Sequence, residues 1–252
     1  MYIFEAKKTT KDIITWISEF FIQNAPPNAP AIVGLSGGKD STVVAALCAA
    51  ALGADRVYGA LLPQGEQKDI DFAYKAAKYL KIRHSVININ DSVEAITSPI
   101  SALGLEITRQ LATNLPARIR MAAVYALSAS LGGRVACTSN QSEDYVGYST
   151  KFGIGTAGDF SPISSLTVTE VKAVGAELGL PNYLIEKVPE DGLSGKTDED
   201  NLGFSYEVLD KYIREGICEN EETKKTIERL HAANQHKNSP VPAFRLEWAV
   251  AK

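Results

Sequence analysis

Short apolar runs alternate with stretches of helical periodicity along the first half of the chain. The first apolar run begins at Ala31, and three more span residues 56–62, 84–90 and 134–138, each with the length and composition of a buried strand. Residues 42–52 and 69–80, between the first three runs, place apolar side chains at helical spacing. Strands that alternate with helices predict an α/β fold, with parallel pairing and right-handed crossovers.

The remaining segments predict further helices and polar loops. Asn114 is the expected N-cap of a long helix over 115–131, and Thr167 with Glu170 predicts a capping box at the start of a helix over 168–178. Residues 91–113 are expected to be mostly helical, 139–144 to form a loop and 145–159 to be irregular. The other predicted helices span 12–24, 182–188, 198–214 and 221–235, and the polar segment 189–196 is predicted to be a mobile lid.

The first strand ends in a glycine-rich turn that leads directly into a helix. Unpaired N–H groups and the dipole at such a helix N-terminus favour an anion, and glycines let the backbone approach phosphate oxygens closely. Ser36 and Ser41 offer hydroxyl donors, whereas Asp40 beside a phosphate implies an intervening cation such as Mg²⁺. The spacing differs from a Walker A loop, since three residues separate Gly34 from Gly38.

Composition and charge exclude several classes of protein. The 252 residues are 45% apolar, with a formal net charge of -4, which argues against a nucleic-acid carrier. No apolar run reaches the roughly 20 residues of a transmembrane helix, and no signal peptide is evident, so we expect neither membrane association nor secretion. The three widely spaced cysteines predict reduced thiols in a cytoplasmic protein.

A second glycine-rich string, residues 153–158, satisfies the G-x-G-x-x-G pattern of dinucleotide-binding proteins. That fingerprint requires a strand before the glycines and a helix immediately after them. Here Asp159 is followed by Phe-Ser-Pro, which opens no helix. The string therefore does not indicate an oxidoreductase.

Several motifs together resemble one family. Ser36–Ser41, Ser-Gly-Gly-Lys-Asp-Ser, is similar to the PP-loop of the ATP pyrophosphatases. The segments 62–69, 114–121, 138–153 and 197–206, and the late pair His236-Lys237, resemble motifs of the ammonia-dependent NAD synthetases in matching order. The resemblance covers residues 10 to 245.

This resemblance implies a fold, a reaction and an assembly. The fold would be a Rossmann-like open parallel sheet flanked by helices, of the adenine nucleotide alpha hydrolase-like type, as one domain over residues 1–252 without a glutaminase domain. The enzyme would amidate deamido-NAD with ammonia and ATP, through an acyl adenylate, to give NAD, AMP and pyrophosphate. Mg²⁺ would be the metal, and a cytoplasmic homodimer would bind the dinucleotide at its interface.

The resemblance also assigns roles to individual residues. Asp40 and Glu143 would hold the metal and be the catalytic residues. ATP would be bound by Gly34, Leu35, Ser36, Gly37, Gly38, Lys39, Asp40, Ser41 and Thr138, with Thr197 closing alongside the lid. Deamido-NAD would be bound by Arg118, Lys151, Asp159, His236 and Lys237, the last two from the other subunit.

Two positions depart from the family pattern. Ile154 stands where the family has an Asp expected near the ammonia, and Val168 stands where it often has a Lys that meets ATP. We expect a nearby lysine, Lys196, to replace the latter.

Other functions stay open at this point. One is a different PP-loop enzyme, such as a tRNA-modifying or GMP-forming ligase, although the acidic balance argues against a tRNA substrate. A catalytically silent nucleotide-binding module would fit Ile154 and Val168, but not the intact Asp40 and Glu143. A purely structural role would leave the polar loops after three strands unexplained.

Overall fold

A four-stranded parallel sheet forms the centre of the protein. The computed structural model describes residues 2–67, 69–186 and 197–244. Its strands are β1 (Ala31–Gly34), β2 (Val57–Leu61), β3 (Arg83–Val86) and β4 (Arg134–Ala136), in the spatial order β3-β2-β1-β4. All three pairings are parallel, with Ala31 opposite Val57 on one side and Arg134 on the other. The α/β fold and parallel sheet predicted from the sequence are confirmed.

Helices cover both faces of this sheet. The described helices are α1 (Ala6–Asn24), α2 (Lys39–Leu52), α3 (Ile70–Leu80), α4 (Asn90–Ala102), α5 (Arg109–Leu131), α6 (Gln141–Val146), α7 (Val168–Glu177), α8 (Asn182–Ile185), α9 (Asp198–Leu202), α10 (Tyr206–Glu215) and α11 (Glu221–Asn238). The main core lies between the sheet and α1, α2, α3 and α7, and α2 contributes six buried residues to it, Val43 to Cys48. A second apolar cluster packs α4 and α5 against the other face. Nowhere in the described ranges is there a helix with the length and apolar character needed to span a bilayer.

Two predicted helix starts were wrong. The long helix α5 begins at Arg109, capped by Thr108, whose side chain accepts a hydrogen bond from the Leu111 N–H. Asn114 is therefore no N-cap: it lies inside the helix, and its side chain accepts a hydrogen bond from Thr150 instead. The helix predicted to start at residue 12 starts at Ala6.

The segments after β4 and after residue 197 also differ from the prediction. Four of the six residues of the predicted loop 139–144 are helical, because the Asn140 side chain accepts a hydrogen bond from the Glu143 N–H and caps α6. The single helix predicted over 198–214 is two helices, separated by Gly203 at a φ of 82° and by Ser205, which caps α10. The capping box of Thr167 and Glu170 is confirmed.

The connection to β4 creates a crevice in the sheet. Chain order runs from β1 outward to β3, and β4 then adds on the other side of β1. Because β1 and β4 are adjacent and parallel, the loops that follow them leave the same edge of the sheet side by side, at the point where the strand order reverses. Open α/β sheets bind ligands at such a topological switch point. The glycine-rich turn after β1 and Asn140 after β4 lie on its two sides.

Candidate active site

Hydrogen bonds to its own serine hydroxyl groups stabilise the glycine-rich turn. Ser41 Oγ lies 3.0 Å from Ser36 Oγ and accepts a hydrogen bond from the Ser36 N–H, and Ser36 Oγ accepts one from the Gly38 N–H. Gly37 has a φ of 76°, and a Cβ there would lie 2.4 Å from backbone atoms of Phe72 and Ala73. Only glycine fits this position, and the loop therefore presents backbone rather than side chain at the N-terminus of α2.

A hydrogen bond joins the two sides of the crevice. Asn140 Nδ2 donates to Asp40 Oδ1 at 2.9 Å, although the two residues are 100 positions apart. The same Asn140 caps α6, so it fixes Glu143, in the first turn of that helix, relative to Asp40. The structure thus brings together the two carboxylates that the sequence predicted to share a metal.

Lys39 completes this cluster. Its side chain is 3% exposed, and its Nζ lies 2.9 Å from Asp40 Oδ2 and 4.0 Å from Glu143 Oε1. The ammonium also lies 5.6 Å from the ring centroid of Tyr206, at the start of α10. Lys39, expected to meet ATP, is directed in this structure at carboxylates.

The electrostatics of the cluster follow from burial and from like charges held close together. Burial alone raises the pKa of Glu143, and the neighbouring Asp40 raises it further, against the opposing effect of Lys39. Burial would lower the pKa of Lys39, but Asp40 and Glu143 outweigh it and raise that pKa. Burial also raises the pKa of Asp198. A positive charge bound among these carboxylates therefore stabilises their ionised forms.

Sequence reasoning missed three residues of this cluster: Asn140, Asp198 and Tyr206. Asn140 had a usable signal, since it follows β4 and precedes a helical turn. Asp198 and Tyr206 lie within the segment 197–206 that resembles the family, but their local sequence pattern does not predict contact with Lys39. Tyr206 O–H donates to Asp198 Oδ2 at 3.5 Å, so the two reach the site together.

The carboxylates fit a Mg²⁺ ion that arrives with phosphates. Mg²⁺ in proteins commonly takes one or two carboxylates and completes its coordination with substrate oxygens and water. Asp40 and Glu143 supply such a pair, next to the phosphate-binding loop. Across the ranges that the structure describes, no group of three or more His, Cys, Asp or Glu side chains has the spacing of a metal site.

Hydrogen bonds connect several of the residues predicted to bind deamido-NAD, near the C-terminal end of α11. Arg118 Nε donates to the Lys151 carbonyl at 3.3 Å, and Lys151 Nζ donates to the His236 carbonyl at 2.5 Å. Lys237 Nζ donates to the carbonyls of Gly147 and Ser149 at 2.6 and 3.0 Å. Within this chain, His236 and Lys237 therefore lie against their own segment 147–151. Their predicted contact with a partner's dinucleotide stays a prediction.

Asp159 lies on a cavity that adjoins this cluster. A cavity of about 420 Å³ is lined by Asp159, Phe152, Asp144 and Lys237, among others. Asp159 Oδ2 accepts a hydrogen bond from the Val135 N–H at 2.8 Å, which anchors the carboxylate to the edge strand β4. Burial lowers the pKa of Lys237. Two of the five residues predicted to bind the dinucleotide thus share one cavity.

The remaining predicted residues have local structural roles here. The Thr138 N–H donates to the Gly155 carbonyl at 3.1 Å, at the end of β4. Thr197 caps α9: its hydroxyl donates to Asp200 Oδ2 and accepts from the Asp200 N–H. The predicted lid 189–196, including Lys196, lies outside the described residues.

Both departures from the family pattern are packed as apolar residues. The Ile154 side chain fills the space over Gly34, where an added Cβ would lie 2.4 Å from Ile154 Cδ1. Val168 is buried with Tyr206 and Leu209 in an apolar cluster, and its N–H donates to Ser142 Oγ. Val168 is 4% exposed, so an unpaired charge at that position would be costly. After the string 153–158 the next helix starts only at Val168, so that string is not a dinucleotide fingerprint.

These features define an α/β nucleotide-binding protein: the parallel sheet, its topological switch point and the glycine-rich loop at the N-terminus of α2. Comparison with known proteins narrows this class. The family model for NAD synthase matches residues 10–242. The NH3-dependent NAD+ synthetase of Pyrococcus furiosus is 38% identical over 239 residues, which cover 89% of this chain and 91% of the relative. That of Methanocaldococcus jannaschii is 38% identical, with coverages of 89% and 86%.

Solved structures agree with this assignment. NMN synthetase from Francisella tularensis superposes with a TM-score of 0.87 at 29% identity, over 97% of this chain and all of that one. The NH3-dependent NAD synthetase from Campylobacter jejuni gives a TM-score of 0.77 at 27% identity, over 96% and 100%. The chain belongs to the NAD synthase family.

Proposed function

We propose that this chain is an ATP-dependent ligase that makes NAD from deamido-NAD and ammonia. The observation that carries the proposal is the crevice in which the PP-loop, residues 34–41, faces Glu143 and is tied to it by the Asn140–Asp40 hydrogen bond. The identity of 38% to ammonia-dependent NAD synthetases over most of the chain supports the same reaction.

The reaction proceeds in two steps. A carboxylate oxygen of the nicotinic acid group attacks the α-phosphorus of ATP, and the bond to the β-phosphate oxygen breaks, releasing pyrophosphate. Ammonia then attacks the acyl carbon of the adenylate, loses a proton, and displaces AMP to leave the amide. Negative charge gathers on the polyphosphate in the first step, so donors already aimed at that charge lower the barrier.

Each side of the crevice has a part in the first step. The backbone N–H groups at the start of α2, which have no side-chain cap, would hold the departing pyrophosphate. The hydroxyls of Ser36 and Ser41, which bond to each other in this structure, would turn to it when it binds. Asp40 and Glu143 would hold Mg²⁺, which when bound neutralises charge on the phosphates. Arg118, Lys151, Asp159, His236 and Lys237 would hold the dinucleotide, and Thr138 and Thr197 would contact ATP. The predicted lid 189–196 would exclude water from the adenylate.

A homodimer is part of this proposal. The 23-residue helix α5 buries only Pro116, Val124 and Ser128, and the adjoining turn exposes Leu103 and Leu105. Exposed apolar residues beside a long, half-covered helix are typical of a subunit interface. Light scattering of the purified protein tests this directly: a mass of about twice 27.2 kDa supports the dimer, and a monomer refutes it. The single-domain organisation and the cytoplasmic location stay predictions.

A second candidate substrate is the mononucleotide. The TM-score to an NMN synthetase, 0.87, is higher than the TM-score of 0.77 to an NAD synthetase. The same chemistry applied to nicotinic acid mononucleotide would give NMN, because both substrates carry the same reacting carboxylate. Only the adenylate half of the dinucleotide distinguishes them.

One assay tests both candidates. The protein is incubated with ATP, Mg²⁺ and ammonium and either deamido-NAD or nicotinic acid mononucleotide, and the amide, AMP and pyrophosphate are quantified, with Asp40→Ala as the control. We expect one AMP and one pyrophosphate per NAD, a kcat/KM at least tenfold higher for deamido-NAD, and no product from Asp40→Ala. A preference for the mononucleotide would assign the second function. Failure of both substrates, with ATP still bound, would leave a silent module or another PP-loop enzyme.

A further inference from the structure

Lys39 lies where the proposed metal would bind. Its ammonium contacts Asp40 Oδ2 at 2.9 Å and Glu143 Oε1 at 4.0 Å, the two carboxylates assigned to Mg²⁺. The side chain is 3% exposed, so it is enclosed in the site and does not simply cover it. One cation of this chain's own therefore already bridges the two proposed metal ligands.

The surroundings of Lys39 hold it there. Asp198 at the start of α9 adds a third nearby carboxylate, and the Tyr206 ring lies 5.6 Å from the ammonium. Without a cation, three acidic groups would face one another in a poorly solvated site, at a high electrostatic cost. Lys39 offsets this cost in the metal-free protein.

We propose that Lys39 is a tethered counter-ion of the Mg²⁺ site, and that the metal binds only by displacing its ammonium from Asp40 and Glu143. This inference rests on the proposed function, which assigns those two carboxylates to the metal. A metal ion that binds without nucleotide gains the two carboxylates, but the displaced Lys39 ammonium then loses its partners. This loss offsets part of the gain, so the metal binds weakly. ATP changes this balance, because its phosphates provide negative charge both for the metal and for the released ammonium. Metal and nucleotide consequently enter the site together.

The proposal is tested by metal binding without turnover. Mn²⁺ replaces Mg²⁺, and free Mn²⁺ is followed by its electron paramagnetic resonance signal in nucleotide-free protein. We expect Lys39→Gln to bind Mn²⁺ about tenfold more tightly than the unsubstituted protein, because no ammonium competes. Lys39→Arg, which keeps the cation, should bind as weakly as the original. Asp40→Asn added to Lys39→Gln should abolish the gain.

A matched control removes a lysine from an ion pair elsewhere. Lys172 Nζ pairs with Glu186 Oε2 at 2.7 Å near α8, so Lys172→Gln makes the same chemical change and should leave Mn²⁺ binding unchanged. Thermal melts establish that each variant is folded. Should Lys39→Gln not fold, Lys39→Met retains the apolar stem against Tyr206 and carries the same expectation.

The outcomes separate this inference from the function on which it rests. Mn²⁺ binding that is unchanged or weaker in Lys39→Gln overturns the counter-ion role. The metal site still stands if, with a non-hydrolysable ATP analogue, both proteins bind Mn²⁺ more tightly than Asp40→Asn does. Mn²⁺ that binds together with the analogue no more tightly in the unsubstituted protein than in Asp40→Asn overturns the metal assignment and the inference together. Tighter binding in Lys39→Gln that Asp40→Asn reverses supports both.

Discussion

Asp210 connects three helices behind the candidate site, and its removal should lower stability measurably. The carboxylate is 6% exposed in α10. Its Oδ1 accepts from Ser142 Oγ at 2.5 Å, and its Oδ2 accepts from the N–H and the hydroxyl of Thr169 at 2.8 and 2.6 Å. Ser142 in α6 in turn accepts from the Val168 N–H at 3.0 Å. One carboxylate thus orients the helix that carries Glu143 and satisfies the N-terminus of α7.

The size of the effect follows from these contacts. A hydrogen bond to a charged group contributes about 1.5–3 kcal/mol, and a buried donor left without a partner costs a similar amount. The three contacts are not additive and water can enter, so we expect Asp210→Ala to lower the free energy of unfolding by about 4 kcal/mol. Because 1 kcal/mol shifts Tm by about 2–4 °C in chains of this size, Tm should fall by about 8–16 °C.

Asp210→Asn is the matched variant. It keeps the shape and one acceptor for the Thr169 groups, but it loses the charge that favours the N-terminus of α7, so the loss should be about 1–2 kcal/mol. Calorimetry gives Tm for each protein, and the KM for ATP should rise in Asp210→Ala because Glu143 follows Ser142 in α6. A Tm within 3 °C of the original for Asp210→Ala, or equal losses for the two variants, would refute this account.

Three further predictions use other parts of the structure. Gly34→Ala should cost about 1–3 kcal/mol because its Cβ meets Ile154, and adding Ile154→Val should recover part of this in urea titrations. Burial raises the pKa of Glu170, but its ion pair with Arg214 outweighs burial and lowers that pKa below 4.5. The charged carboxylate therefore stabilises the fold above pH 4.5, and this contribution is lost as the pH falls further. Glu170→Gln should lower the free energy of unfolding by its full amount at pH 7 and by less below pH 4.5. Since burial raises the pKa of the two buried thiols, a thiol reagent at pH 8 should modify only Cys218 in the native protein and all three cysteines after denaturation.

Local signals explain which parts of the fold were predictable. The apolar runs and the Thr167–Glu170 capping box involve residues only a few positions apart in the chain. The strands and α7 were therefore predicted close to their observed positions. The errors lie where two local signals compete. Asn114 lies two residues before Pro116 and is a residue type that favours N-caps, but Thr108 caps the helix six residues earlier, and Pro116 is buried inside it.

The sequence by itself determined the alternation of strands and helices, the phosphate-type loop and the family, because each depends on residues that are near one another in the chain. The tertiary structure alone decided how the site is assembled. Asn140 meets Asp40 because β4 pairs with β1 on the side away from β2. Asp198 and Tyr206 reach Lys39 because α9 and α10 pack with α6 in one apolar cluster. These contacts join residues 100 or more positions apart, and no periodicity or motif encodes such a distance; packing of the apolar faces decides it.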